Sequence, residues 1–287
     1  MTMTEMITSG QIKQLRRLAE DALSSEVNIT KREAQRALGK GNEIMKGFIS
    51  LIRKKAENPH NRISSSFGYP KGYNGAKTLD EQATLLREQY QFPLKLLASV
   101  KKRPKEAEGL WVMPLIKNIV PLQCKHPYNY AVDFVLERLG RSRKFKNWRQ
   151  GKMGYEYLRQ IENTLCLWNQ LTLAQGSGEL TPVVPAQFGK MHNGESVDYV
   201  RKHVLDNEIL FGVYHIGIML LTHPEREQKR EQLHIDCAGD KYAPGGVGRF
   251  VDAPFFSWGV GGLRFSADWA SGANGYYGSV SGFLPQD

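Results

Sequence analysis

The chain has 287 residues, and 39 Lys and Arg against 29 Asp and Glu give it a formal net charge of +10. Hydrophobic residues make up 41% and charged residues 24%, which excludes wholesale disorder and a membrane-embedded chain and leaves enough apolar matter for a sizeable core. The charge is uneven. Residues 1–150 hold 28 basic and 14 acidic side chains and residues 151–287 hold 11 and 15, so a polyanion or an anionic surface is expected to meet the first half.

Residues 9–57 are predicted helical. Ile12, Leu15, Ala19, Ala22 and Leu23 recur at helical spacing, and Thr30 with Glu33 forms a capping box. Gly39-Lys40-Gly41-Asn42 breaks the pattern before a second stretch with Ile44, Phe48, Leu51 and Ile52 on one side. Residues 1–57 are thus expected to be a helical hairpin module. It is either helix-turn-helix-like, with Lys46, Arg53, Lys54 and Lys55 on its exposed side, or a dimerisation arm through which the chain forms a homo-oligomer. Residues 58–77, with Pro59, Pro70, three consecutive serines, Gly68, Gly72 and Gly75, read as a linker. Its Phe67, Tyr69 and Tyr73 are unusual for a flexible connector and suggest that it lies against the main domain.

That main domain is expected over 78–287. A second capping box, Thr78 with Glu81, opens a helix that Pro93 ends. Leu110–Met113 is a predicted strand, and helices are predicted near 128–139 and 155–173. Pro182-Val183-Val184-Pro185 is placed at a sheet edge, since proline cannot complete an interior ladder. Two helices are expected between Ser196 and Leu221; the apolar run Ile209–Leu221 is too short to span a bilayer, and His215 within it is expected to be a core histidine bonded to backbone. His192 is placed in a turn before a helix, open to solvent. From Gln232 the pattern turns to short β-type runs, at 233–237, 255–258 and 263–266, and ten of the chain's 28 glycines fall between Gly245 and Gly282, a density suited to antiparallel turns and bulges. The fold class is therefore α+β: the N-terminal hairpin, a helical middle region and a glycine-rich antiparallel β C-terminal part.

Two constellations carry chemistry. Arg141-Ser142-Arg143-Lys144-Phe145-Lys146-Asn147-Trp148-Arg149 places five cations among two aromatics. Cations neutralise phosphates, and rings stack on unpaired bases. The segment reads as a loop or frayed helix end, and Lys101, Lys102 and Arg103 add a second basic cluster. The expected nucleic-acid contacts are Lys101, Lys102, Arg103, Arg141, Arg143, Lys144, Lys146, Trp148 and Arg149. The second constellation is His234-Ile235-Asp236-Cys237-Ala238-Gly239-Asp240. Strand alternation puts His234 and Asp236 on one face and Cys237 on the other. With Asp240 they are the candidate catalytic or metal-ligating residues of a hydrolase or nuclease. The aromatic tail (Phe255, Phe256, Trp258, Trp269, Tyr276, Tyr277) is either a ligand-stacking platform or a small β core.

No P-loop, full GxGxxG, HExxH or nucleophile elbow occurs, so no cofactor is expected. Cys124, Cys166 and Cys237 are too few and too scattered for a disulfide scaffold or a cysteine zinc site. Residues 1–11 lack a basic region leading into an apolar one. The expected protein is cytoplasmic, without membrane insertion, and binds nucleic acid through its basic first half. The competing expectations are a metal-assisted enzyme at 234–240 and an assembly protein built on residues 1–57.

Overall fold

The computed structural model describes residues 61–100, 102–176, 178–246 and 248–285. The chain divides into two units, Met1–Glu57 and Asn58–Asp287, and the described residues all belong to the second. The expected hairpin, with its helix-turn-helix-like or dimerising role, lies outside them.

The second unit is α+β. Its elements in chain order are α1 (Leu79–Thr84), β1 (Gly109–Val112), α2 (Pro127–Ser142), β2 (Phe145–Asn147), β3 (Leu158–Gln160), α3 (Glu162–Ala174), β4 (Val183–Gln187), α4 (Val197–His203), β5 (Glu208–Leu210) and α5 (Val213–Thr222). The C-terminal strands are β6 (His234–Asp236), β7 (Asp240–Tyr242), β8 (Asp252–Gly259), β9 (Gly262–Trp269), β10 (Tyr277–Ser279) and β11 (Ser281–Phe283). One sheet runs β1-β4-β11-β5. A larger one runs β10-β6-β8-β7-β3, with β9 paired to β8 and β2 paired to β9.

The core forms around α5, every residue of which is buried. Helix α2 starts with a proline at its first turn and lays Ala131, Val132, Val135, Leu136 and Leu139 inward, the spacing of a one-sided apolar stripe. A Cβ on Gly217 would come within 2.8 Å of Val135, so glycine there is what lets the two helices approach. Phe256, Phe265, Leu263 and Ile235 of the larger sheet join the same cluster as Trp111 and Val184 of the smaller one. Thr78 and Glu81 make the predicted reciprocal cap of α1. No helix among the described residues is long and apolar enough to cross a membrane.

Residues 61–77 are fastened to this body. Ile63 donates its amide to Gly194 (2.8 Å) and Leu233 donates to Gly68 (2.8 Å). The Tyr69 hydroxyl donates to Glu108 (2.5 Å), and Lys77 pairs with Glu225 (2.8 Å).

Several local expectations give way to tertiary pairing. The helix expected over 155–173 begins only at Glu162, because Leu158–Gln160 pairs with Asp240–Tyr242 as β3. Strand β5 separates the two helices of 196–221. Strand β4 is interior, flanked by β1 and β11. Pro185 is tolerated there because the pairing with β11 stops at Ala186, so no bond on that side needs its missing N–H.

His215 is buried, but neither ring nitrogen has a hydrogen-bond partner among the described residues; it is held by rings instead, stacked on Phe211 at 5.0 Å and beside Trp168 at 4.4 Å. Burial lowers its pKa to about 3. The native state therefore refuses a proton that the unfolded chain takes up below about pH 6.5, and stability falls as pH drops through that window. His215→Phe keeps the stacking and removes this penalty. Denaturant midpoints of the two proteins should diverge below pH 6.5, the variant gaining about 1.4 kcal/mol per pH unit relative to the wild type. A constant offset between pH 7 and pH 5 would contradict this origin.

Candidate functional site

The basic segment is an edge strand. Helix α2 ends at Ser142, and Phe145–Asn147 then pairs in parallel with Leu263–Phe265; the loop expected there is corrected by this pairing. Alternation follows from the strand: Phe145 packs on the core, while Lys144, Lys146 and Trp148 are exposed. Trp148 is 58% exposed, with Lys146 Nζ 5.3 Å from its ring centre.

Register carries that outer face across the sheet, because paired residues point the same way. Lys146 is opposite Arg264, which is opposite Ser257 on β8. The next residue of β6, His234, continues this row and pairs with Tyr277 of β10. The neighbouring row runs from Trp148 to Ser266, Phe255, Asp236 and Ser279. Both candidate constellations thus lie on one face of one sheet, the cations at its edge and the His234–Asp236 pair about three strand spacings away, roughly 14 Å.

At the edge, Lys144, Lys146, Trp148, Val260 and Arg264 line a groove of about 330 Å³. Arg264 donates Nη2 to Ser257 (3.1 Å) and leaves a buried Nε without a partner among the described residues. Val260 is 84% exposed and sits at φ 52° beside Gly261 at φ 69° in the two-residue turn between β8 and β9. Such turns favour Asn-Gly, and a β-branched residue at positive φ is strained.

Further along the face, His234 is buried and contacts Glu227 through Nδ1 (3.0 Å). Burial raises the Glu227 carboxyl, against the His234 contact and Arg226 and Arg143, which lower it. Asp236 opens into a cavity of about 240 Å³ with Phe255, Asp268, Trp269, Asn274 and Tyr277. Burial raises its pKa to about 7, with Arg201 lowering and Asp268 raising it, and no group among the described residues donates a hydrogen bond to its carboxylate.

Asp240 does not join them. It is fully buried, accepting from the Tyr128 hydroxyl (2.6 Å) and the Val213 amide (2.8 Å) at the start of α5, a carboxylate at a helix N-terminus. Burial raises it to about 7, while Tyr128 and Val213 lower it. Gly212 leaves the room: a Cβ there would collide with Asp240 Oδ1 and the Tyr128 hydroxyl. Among the described residues no group of three or more His, Cys, Asp or Glu could hold a metal ion, so the donor set of a metal centre at 234–240 is not assembled.

The remaining basic residues divide by where their charge goes. Arg143 turns inward, donating to the carbonyls of Leu220, Pro224 (3.3 Å) and Arg226 (2.9 Å), and burial lowers its pKa to about 10. Arg149 also turns inward, donating to Ala267 (2.7 Å) with its guanidinium over Tyr242. Arg141 is exposed but paired with Glu137 in α2 (2.5 Å). Lys102 and Arg103 are exposed ahead of β1, in the other sheet, with Arg103 donating to Glu108 (3.2 Å). Lys101 lies outside the described residues. The candidate surface gains Arg264, Val260, Asp268 and Asn274, which no sequence motif marks. Of the aromatic tail, Phe256 fills the core, whereas Phe255 and Tyr277 are half-buried on the polar face.

His192 is buried, not open. Its Nδ1 meets Glu195 (2.9 Å) and its Nε2 meets Glu208 (2.7 Å). Burial opposes its charge, but the two carboxylates win and raise its pKa to about 9.

Comparison with known proteins finds no matching family model, no matching curated protein and no matching solved structure.

Proposed function

We propose that the protein binds single-stranded nucleic acid on the outer face of its larger sheet, with Lys144, Lys146 and Arg264 taking phosphates and Trp148 stacking on a base. The supporting observation is the register that puts an exposed tryptophan and three cations on one face, continuous with the half-buried rings of Phe255 and Tyr277. Cations attract any polyanion, whereas exposed rings interleaved with them suit unpaired bases. A duplex hides those ring faces, so a single strand is the better fit. Fluorescence anisotropy with labelled single strands of DNA and RNA, and with a duplex, tests this at low salt. Single strands should bind more tightly than the duplex, with log K falling linearly as log salt rises. Absence of any retention at low salt overturns the proposal.

The strained turn supports the same surface. An apolar, exposed valine at positive φ lowers stability without packing gain, and backbone strain of this kind clusters at contact sites. Val260→Asn should raise stability by about 1 kcal/mol in urea melts, relieving strain at the first turn position. The same variant should weaken single-strand binding, because it replaces the apolar wall of the groove. Unchanged stability would show that the turn carries no strain.

A further inference from the structure

The cavity beside Asp236 has a chemistry different from the groove at the sheet edge. Its carboxylates, Asp236 and Asp268, repel phosphate, and its walls include the rings of Phe255, Tyr277 and Trp269. Phe255 and Tyr277 meet edge-to-face at 5.3 Å and 82°, which fixes the wall's shape. Trp269 is 75% exposed at the mouth. Asn274 spends its Oδ1 accepting from the Tyr276 amide (3.0 Å), which leaves its Nδ2 as a donor.

Resting on the strand-binding reading, we propose that this cavity takes one unstacked guanine. Complementary edges select it. Guanine's Watson–Crick edge presents the N1–H and the 2-amino group side by side, with O6 as its acceptor. Cytosine and adenine each present one amino group beside an acceptor nitrogen, and uracil one N–H between two carbonyls. Asp268 spends its Oδ1 on the Trp269 amide (2.8 Å), whereas the Asp236 carboxylate accepts from no described residue; beside an amide donor it is best matched by guanine: Asp236 accepts from N1–H and the amino group, and Asn274 donates to O6. The rings supply the stacking wall. Trp269 also lines an adjoining cleft of about 510 Å³ that carries Arg249, so a cation is at hand next to the cavity for the phosphate of a base seated inside. With Lys146 and Arg264 at the other end of the face, the base enters where the charge is negative and the backbone runs where it is positive.

The test compares a short labelled oligouridine with the same strand carrying one central guanine, measured above neutral pH so that Asp236 is ionised. The guanine strand should bind about tenfold more tightly. Inosine at that position, which lacks the 2-amino group, should lose part of the gain. Asp236→Asn should bring the two strands to the same affinity. Asn274→Asp keeps the acceptor for the Tyr276 amide but sets a second acceptor against O6; as an exposed substitution it leaves the fold's core untouched, and it too should remove the preference. Equal binding of both strands by the wild type, or a guanine preference that survives both variants, overturns the inference while leaving strand binding intact. Titration of guanosine monophosphate against uridine monophosphate by calorimetry separates the two readings. If neither strand binds but the guanine nucleotide does, and Asp236→Asn abolishes it, the cavity stands as a guanine site and strand binding falls.

Discussion

Replacing Lys144 and Lys146 together by alanine should lower single-strand affinity by at least tenfold at low salt and flatten its salt dependence. Each phosphate released from a single strand removes about 0.7 from the slope of log K against log salt, so losing two contacts should reduce it by about 1.4. Trp148→Ala should cost about 1–3 kcal/mol, fivefold to more than a hundredfold in Kd, with the salt slope unchanged, because stacking releases no counterions. The contrast is the informative part: the lysines change slope and affinity, the tryptophan affinity alone. Arg143→Ala supplies the control. Its guanidinium serves three carbonyls at and beyond the end of α5, those of Leu220 and Arg226 in part-buried bonds, so its loss should lower stability and leave the salt slope where it was. A slope that fell equally for Arg143→Ala and for the lysine pair would show that bulk charge, not this face, governs binding.

The edge strand shows how much of this is legible in the sequence. Lys144-Phe145-Lys146 alternates polar and apolar, but Asn147-Trp148 reverses the order, so the segment has too little period-2 pattern to read as a strand. The cations point to phosphate chemistry, but their density also suggests a loop. Which cations remain available is a tertiary fact. Arg143 and Arg149 have the same sequence credentials as Lys144 and Lys146, yet their long planar donors find carbonyls of α5 and β9 and turn inward. Alternation alone puts His234 and Asp236 on one face, since a three-residue strand leaves no other choice. Asp240 groups with them only by proximity in sequence. The turn at Cys237–Asp240 instead delivers it to the N-terminus of α5, which lies earlier in the chain and gives no local sign of needing a carboxylate. That the two constellations share one face depends on β2 pairing with β9, more than a hundred residues away. Pairings of this range leave no periodic trace in either segment.

Loss of His192 should be the most damaging single change to the fold. Its imidazolium lies between Glu195 and Glu208, and Glu208 also accepts from the Ser281 hydroxyl (2.5 Å) and the Leu205 amide (3.2 Å). Removing the cation leaves two carboxylates facing each other in a largely buried site, for which a cost of about 3–5 kcal/mol is expected. His192→Ala should show it in chemical denaturation, and His192→Gln, which keeps a donor but no charge, should recover only part. The pH dependence has a definite sign. With a folded pKa of about 9 against about 6.5 when unfolded, the stabilisation from His192 is complete below pH 6.5 and is lost as pH rises through 9. Glu195 and Glu208 are both lowered: burial opposes their charge, but His192, joined by Arg62 at Glu195 and by the Ser281 hydroxyl and Leu205 amide at Glu208, outweighs it. Their contribution is present above the ordinary glutamate value and disappears as pH falls through the lowered one. Wild-type stability should therefore decline from about pH 6.5 to about pH 9, and both His192 variants should lack that decline. The consequence reaches the candidate site. Glu195 also pairs with Arg62 (2.5 Å), at the start of the segment whose Ser65 hydroxyl donates to the Gly275 carbonyl (2.5 Å), beside Asn274 and Tyr276. A His192 variant that loosens this segment should show faster amide exchange than the wild type at 61–66 and 274–277 at pH 7. Unchanged exchange at 274–277 would confine His192 to stability and separate it from the cavity.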